Sequence, residues 1–184
     1  MKLVFLLEEP SMQEVLKILL PQILPPAVEF QIVPHQGKGD LKKSIPVKLR
    51  NWNEPQVHFI VVQDQDSSDC KEVKADLKNL CAKAGRQDTL IRIACHELEA
   101  WYFGDLVAVE QAYNINLKNI KNKAAYRVAD NIPDPKNALN KILKGRGYQQ
   151  ISGAKRIAEF MDIDKNTSTS FNFFISGVRK IAGL

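Results

Sequence analysis

The segment from Val57 to Asp69, Val-His-Phe-Ile-Val-Val-Gln-Asp-Gln-Asp-Ser-Ser-Asp, constrains this chain more than any other, because an apolar run empties directly into carboxylates. Its centre, Phe59 to Val62, is too short for a lone helix, is rich in β-branched residues and lacks polar alternation. Such a run reads as a strand buried on both faces, as in a parallel sheet. Its carboxyl end therefore carries acid. Ligands of open α/β sheets gather at the carboxyl ends of the strands, and Asp64 and Asp66 point the same way if extended geometry persists between them.

The same grammar recurs on either side. Lys2 to Leu7 is an apolar run ending at Glu8 and Glu9, and reads as a first buried strand. Pro10 and Ser11 open a helix on which Met12, Val15, Leu16, Leu19 and Leu20 recur at helical spacing, with Pro21 expected to stop it. Pro25-Pro26 turns the chain into a second strand, Val28 to Val33. His35-Gln-Gly-Lys-Gly-Asp40 is a loop, with Asp40 placed to cap a helix anchored by Leu41, Ile45 and Leu49. This loop lacks the spacing of a nucleotide-binding P-loop. After the organising strand comes a helix over Ser68 to Ala84, with Val73, Leu77 and Leu80 inward, closed by Gly85. A fourth strand, Leu90 to Cys95, runs into His96-Glu97-Leu98-Glu99-Ala100-Trp101.

This alternation predicts an α/β fold: a four-stranded, mainly parallel sheet flanked by helices. Beyond Gly104 the pattern changes to short helices over Leu106–Tyr113, Lys136–Leu143, Ala154–Met161 and Phe171–Ile181. The expected organisation is an α/β core over residues 1–103 and a helical C-terminal extension over 104–184, packed together as a single compact unit.

Charge is unevenly placed. Residues 1–100 hold 13 Lys and Arg against 14 Asp and Glu, a balance of −1, whereas residues 101–184 hold 13 against 7, a balance of +6. The second half suits a polyanion, and Lys121, Lys123, Lys141, Lys144, Arg146, Lys155 and Arg156, with Lys38 from the glycine loop, are the candidate nucleic-acid contacts. No apolar run approaches the ~20 residues that span a bilayer, and Met1 to Leu7 is too short and too soon acidic for a signal peptide. A cytoplasmic protein without a membrane segment is expected. Cys70, Cys81 and Cys95 show no C-x-x-C spacing and read as free thiols.

If the strands are parallel neighbours, Glu8 after the first, Asp64 and Asp66 after the third and Glu97 or Glu99 after the fourth converge. Carboxylates crowded in this way repel unless a cation neutralises them, and Mg²⁺, or Mn²⁺ in its place, takes oxygen ligands while keeping room for water and phosphate. Asp69, Asp40 and Glu9 read instead as helix N-caps. Glu97 and Glu99 diverge if they share a helix, which leaves one of them a structural role. His58 reads as a packed strand residue, His35 as a hydrogen-bonding neighbour and His96 as a weak site candidate. Trp101, Phe171, Phe173 and Phe174 sit at spacings expected of core.

Leu7-Glu8 and Asp64-Gln65-Asp66 resemble the Toprim domain of topoisomerases, primases and overcoming-lysogenization-defect nucleases, which carries a Glu after its first strand and Asp-x-Asp after its third. More closely, Phe5-Leu-Leu-Glu-Glu-Pro-Ser-Met12, Gly37-Lys-Gly-Asp40, the Asp-x-Asp and Glu97-Leu-Glu-Ala-Trp101 resemble a bacterial Toprim-like family, domain-of-unknown-function family 4276. The resemblance spans nearly the whole chain, including Asn166 to Phe174. It implies a Toprim-like fold and Mg²⁺-dependent phosphodiester cleavage of nucleic acid, with Glu8 as general acid/base. Asp64, Asp66 and Glu97 complete the implied catalytic set, and Glu8, Asp64, Asp66, Glu97 and Glu99 the metal-binding set. Nuclease-type relatives read Val-Glu-Gly-x-Thr-Glu; here Glu9 replaces the Gly and Met12 the final Glu, which removes one ligand or base. Toprim nucleases are often coupled to a separately encoded ATPase, so a weakly active or inactive adaptor is the rival expectation, ahead of a receiver-like phosphoacceptor. The receiver reading lacks the Ser or Thr that should follow the fourth strand.

Overall fold

Strands β1 (Lys2–Leu7), β2 (Glu29–Pro34), β3 (Val57–Asp64) and β4 (Leu90–Ala94) form one sheet in the computed structural model, which describes residues 1–184. The order is β2-β1-β3-β4 and every pairing is parallel. The first and third strands are therefore neighbours, with Leu7 opposite Val62, and Asp64 at the end of β3 lies opposite Ala94. Three strand ends that carry acid thus open on one edge.

Alternation along the strands divides the interior in two. Leu3, Phe5, Leu7, Ile60 and Val62 face a large core shared with α1 (Pro10–Ile23). Val4, Leu6, Phe59, Val61, Ile91 and Ile93 face a smaller core closed by α2 (Lys38–Asn51) and α3 (Cys70–Lys83). Both faces are covered, which is why these strands read as continuous apolar runs.

The second half of the chain adds α4 (Glu99–Phe103), α5 (Leu106–Tyr113), α6 (Lys118–Lys121), α7 (Pro135–Ile142), α8 (Gln150–Ala158) and α9 (Thr169–Ala182). Their apolar residues join the large core with β1 and α1. Trp101 is the anchor: its ring meets Phe171 at 5.3 Å and Phe174 at 5.2 Å, and its indole N–H donates to Ser170 Oγ at 3.1 Å. No helix is long and apolar enough to cross a membrane.

Three expectations need correction. Helix α1 does not stop at Pro21 but runs to Ile23, and Leu24 N–H donates to Leu20 O at 2.9 Å beyond it. Proline there deprives one carbonyl of its amide partner, but it sits exposed in the last turn, so the break is tolerated. Phe173 is not core: it is 63% exposed, because two residues from Phe171 a helix has turned about 200°. Helix α8 begins at Gln150 rather than Ala154, and α4 and α6 are too short to have left a periodic signal.

Gly104 marks a close approach between the end of α4 and the segment that leads into α9. A Cβ there would lie 2.7 Å from Ser168 N and 2.9 Å from Ser168 Cβ, whereas at Gly39 nothing lies within 4 Å. Gly104→Ala is expected to lower stability by about 2–3 kcal/mol through overpacking, and Gly39→Ala to change it by less than about 1 kcal/mol. Denaturation midpoints measure both; equal midpoints would contradict the contact.

Candidate functional site

Asp64 extends the parity of Ile60 and Val62, so its side chain enters the side of the sheet covered by α1 and α4. It is 6% exposed, and its Oδ1 has no hydrogen-bond partner. Its backbone N–H donates to Glu8 Oε2 at 3.0 Å, which ties the ends of β1 and β3 together through a carboxylate. Glu8 is held in turn by its own backbone: its N–H donates to Val62 O at 3.2 Å and its carbonyl accepts from Gly37 N–H at 2.9 Å. That last bond brings the glycine loop to the site.

Asp66 arrives differently from the way its spacing implies. The strand ends at Asp64, and Asp66 takes a left-handed φ of 54°. Its N–H donates to His96 O at 2.6 Å, and His96, also left-handed at φ 57°, donates its N–H to Gln65 Oε1 at 3.3 Å. The two turns after β3 and β4 are therefore locked to each other. Lys38, on the first turn of α2, donates to Asp66 Oδ2 at 2.5 Å.

Glu9 is not the expected helix cap, for it caps no amide of α1. It accepts from Ser11 Oγ and, at 2.6 Å, from the side-chain amide of Gln150 at the start of α8. Glu97 precedes α4 rather than sharing it with Glu99, so helical divergence does not separate the two. Glu97 Oε2 accepts from Lys136 N–H at 3.1 Å in the first turn of α7, while Glu99, 1% exposed, accepts from Tyr148 OH at 2.7 Å. Tyr102, one turn beyond Glu99, is buried with its hydroxyl unpartnered and feels the charge of Glu99, Glu9 and Asp64.

The electrostatics follow from this crowding. Burial, with smaller contributions from neighbouring carboxylates, pushes Glu8 from 4.5 to about 7, against the pull of the Asp64 amide and Lys38. Burial pushes Glu99 to about 7 as well, against the Tyr148 hydrogen bond. Asp64 is raised well above the carboxylate range by burial and then by Glu9, Glu8 and Glu99, and Glu9 is raised by burial. Lys38 moves upward through its hydrogen bond to Asp66. The edge thus favours protonated acids in the absence of a cation.

The donors fit a hard divalent cation in kind: they are oxygen only, and one Asp64 oxygen is buried and unpartnered. They are not preassembled. No three His, Cys, Asp or Glu side chains converge into a coordination set, and the Lys38 ammonium rests on Asp66. A cation would have to take Asp66 from Lys38 and draw Glu8 and Asp64 together.

Other sequence-predicted residues fall elsewhere. Asp69 caps α3, accepting from Lys71 N–H at 2.7 Å and Glu72 N–H at 3.1 Å. Asp40 lies inside α2 and accepts backward from Gln36 N–H at 3.0 Å. His35 is buried, its Nδ1 paired with Leu7 O at 2.8 Å. Among the basic candidates, Lys121 is held by Glu110 at 2.5 Å, and the Arg156 guanidinium lies over the Tyr113 ring at 5.2 Å. Lys123, Lys141, Lys144, Arg146 and Lys155 are exposed. Sequence reasoning missed Tyr148, Gln150 and Lys136, which lie far along the chain and carry no spacing signal; Tyr102 was within reach, three residues from Glu99 on one helix. A cleft of about 440 Å³ lined by Phe103, Tyr126 and Phe160 contains none of these acids.

The family described as a domain of unknown function (DUF4276) matches residues 7–179, so the chain belongs to that family. No curated protein and no solved structure matches it.

Because Glu8 and Glu99 hold protons more tightly folded than unfolded, their contribution to stability is fully present below about pH 4.5 and is lost as pH rises through about 7. The melting temperature of the metal-free protein should therefore fall between about pH 5 and pH 8. Asp64→Asn, which removes a carboxyl that must take up a proton to be buried, should raise it at neutral pH by roughly 2–4 °C. A flat profile together with an unshifted variant would contradict the protonated-edge account.

Proposed function

We propose that this DUF4276 chain is a divalent-cation-dependent phosphodiesterase of the Toprim type acting on nucleic acid, related to the overcoming-lysogenization-defect nucleases. The observation that carries the reading is the pairing of Asp64, with its buried unpartnered oxygen, to Glu8 at the ends of adjacent parallel strands. Mg²⁺ or Mn²⁺ would be held by Asp64 and Asp66, with Glu8, Glu97 or Glu99 completing the oxygen donors. When bound, such a cation neutralises the carboxylates and polarises a phosphoryl oxygen.

The chain's own residues supply the remainder. Glu8, poised near neutrality at about 7, suits general acid/base work: it takes a proton from an attacking water or returns one to the leaving oxygen. Lys38, half-exposed beside Asp66, is placed to meet a phosphate oxygen once Asp66 is otherwise engaged. His96 contributes its backbone, holding the Asp66 turn. The exposed Lys123, Lys141, Lys144, Arg146 and Lys155 give the second half the long-range attraction that an acidic site lacks.

A second reading has its own support. Met12, standing where nuclease-type relatives carry Glu, is buried in the large core, and the acids are not preassembled. These features suit an adaptor that keeps the acidic edge but works beside a separately encoded ATPase, as in phage defence.

Incubation with single-stranded and duplex DNA and RNA in Mg²⁺ or Mn²⁺ separates the two. Cleavage should appear, disappear with chelator, and fall at least about 100-fold in Asp64→Asn and Asp66→Asn. Binding in Ca²⁺ should weaken steeply with salt, with a logarithmic slope of about −4 if roughly five phosphates are neutralised. Cation binding without turnover favours the adaptor; salt-independent affinity removes nucleic acid as the substrate.

A further inference from the structure

The turn joining α7 to α8 carries Lys144 and Arg146, and Lys141 sits in the last turn of α7; all three are exposed and none is in an ion pair, while Arg146 Nη1 donates to Tyr113 O at 3.2 Å. Gly145 at φ 79° and Gly147 at φ 67° flank Arg146, so the backbone bends sharply on either side of it. Leu143, its first residue, is buried in the large core, but from Lys144 to Gly147 the turn has no apolar side chain with which to hold itself in place.

It is instead fastened to the acidic edge. Glu97 accepts from Lys136 N–H at 3.1 Å where the turn's first helix starts. Glu9 accepts from Gln150 Nε2 at 2.6 Å where the second helix starts, and Gln150 Oε1 accepts from Lys136 Nζ at 2.8 Å, which closes the base of the loop. Between them, Tyr148 OH reaches Glu99 Oε1 at 2.7 Å, two residues from Arg146. The tyrosine has a built seat: a Cβ at Gly153 would lie 2.5 Å from two of its ring carbons, so only glycine at that position of α8 lets the ring lie against the helix.

We propose that Tyr148 is a positioning residue that pins the basic turn beside the acidic edge through Glu99, so that Lys144 and Arg146 bind the backbone of a polynucleotide strand whose scissile phosphodiester lies at Glu8 and Asp64. This rests on the phosphodiesterase reading and deepens it by naming the substrate class: a strand, which can reach both the carboxylates and the cations offset along the turn, rather than a mononucleotide. The anchor is a hydroxyl on a buried carboxylate, strong enough to hold the turn yet contributing no charge to the strand.

The test uses Tyr148→Phe, which keeps the ring on Gly153 and deletes only the hydroxyl. Limited trypsinolysis should cut Tyr148→Phe after Lys144 and Arg146 about tenfold faster than the unaltered protein, because the turn opens more often. An unchanged cutting rate would overturn the pin. Anisotropy of a fluorescein-labelled single-stranded oligonucleotide in Ca²⁺ should show Tyr148→Phe and the double variant Lys144→Gln/Arg146→Gln each weakening binding about five- to tenfold. The triple variant should be no weaker than the double, since a pin without its cations has nothing to position. Losses that multiply, or full affinity in Tyr148→Phe, would overturn the inference while leaving the phosphodiesterase reading intact. If the unaltered protein binds no oligonucleotide, both fall together. Mononucleotide competing as well as oligonucleotide would overturn the strand assignment alone.

Discussion

Like charge gathered at a half-buried sheet edge is the condition to which the rest of this structure answers. Parallel strands bring Glu8 and Asp64 together, and parity drives Asp64 inward toward Glu9 and Glu99. Separated by so little solvent, ionised carboxylates would cost more than the fold could recover. The chain meets this with protons and with donors. The raised affinities of Glu8, Glu9, Asp64 and Glu99 keep acid neutral, while the Asp64 amide, Tyr148, Gln150 and the Lys136 amide take up carboxylate oxygens. Lys38 does the same for Asp66 with a full charge.

The helical half is consequently part of the site. Its apolar residues share a core with β1 and α1, fixed around Trp101, and that shared core brings α7 and α8 to the acids of the first half. Three of the carboxylates that follow β1 and β4, Glu9, Glu97 and Glu99, find their donors at the starts of those two helices or in the turn between them. The acids of the first half and the basic helices of the second are thus joined in one contact.

Much of this was legible because parallel strands announce themselves. The runs of β1 and β3 and the acids that follow them are local features, set by burial on both faces, whereas the adjacency of their carboxyl ends was a condition that only the strand order meets. The capping role of Asp69 was legible for the same reason. What escaped depends on distant partners. Glu9 stands where a cap would stand, but Gln150 and Ser11 claim it. Asp66 leaves the strand direction because the turn after β4 captures its amide, a contact between segments some 30 residues apart. Tyr148 lies in a glycine-rich turn whose sequence says only that the chain bends. Phe173 misled because a triplet of phenylalanines so close together cannot keep one helical face.

The most direct test of the central claim is calorimetric titration of the protein with Mn²⁺ at about pH 6.5 and about pH 8.5, each in two buffers of different ionisation enthalpy. If the acidic edge is held neutral by protons until a cation replaces them, binding at the lower pH must release protons, and that release must fade at the higher pH as the carboxylates ionise beforehand. Asp64→Asn should lose the binding. Cation binding with no proton release at either pH, or binding unchanged in Asp64→Asn, would contradict the account.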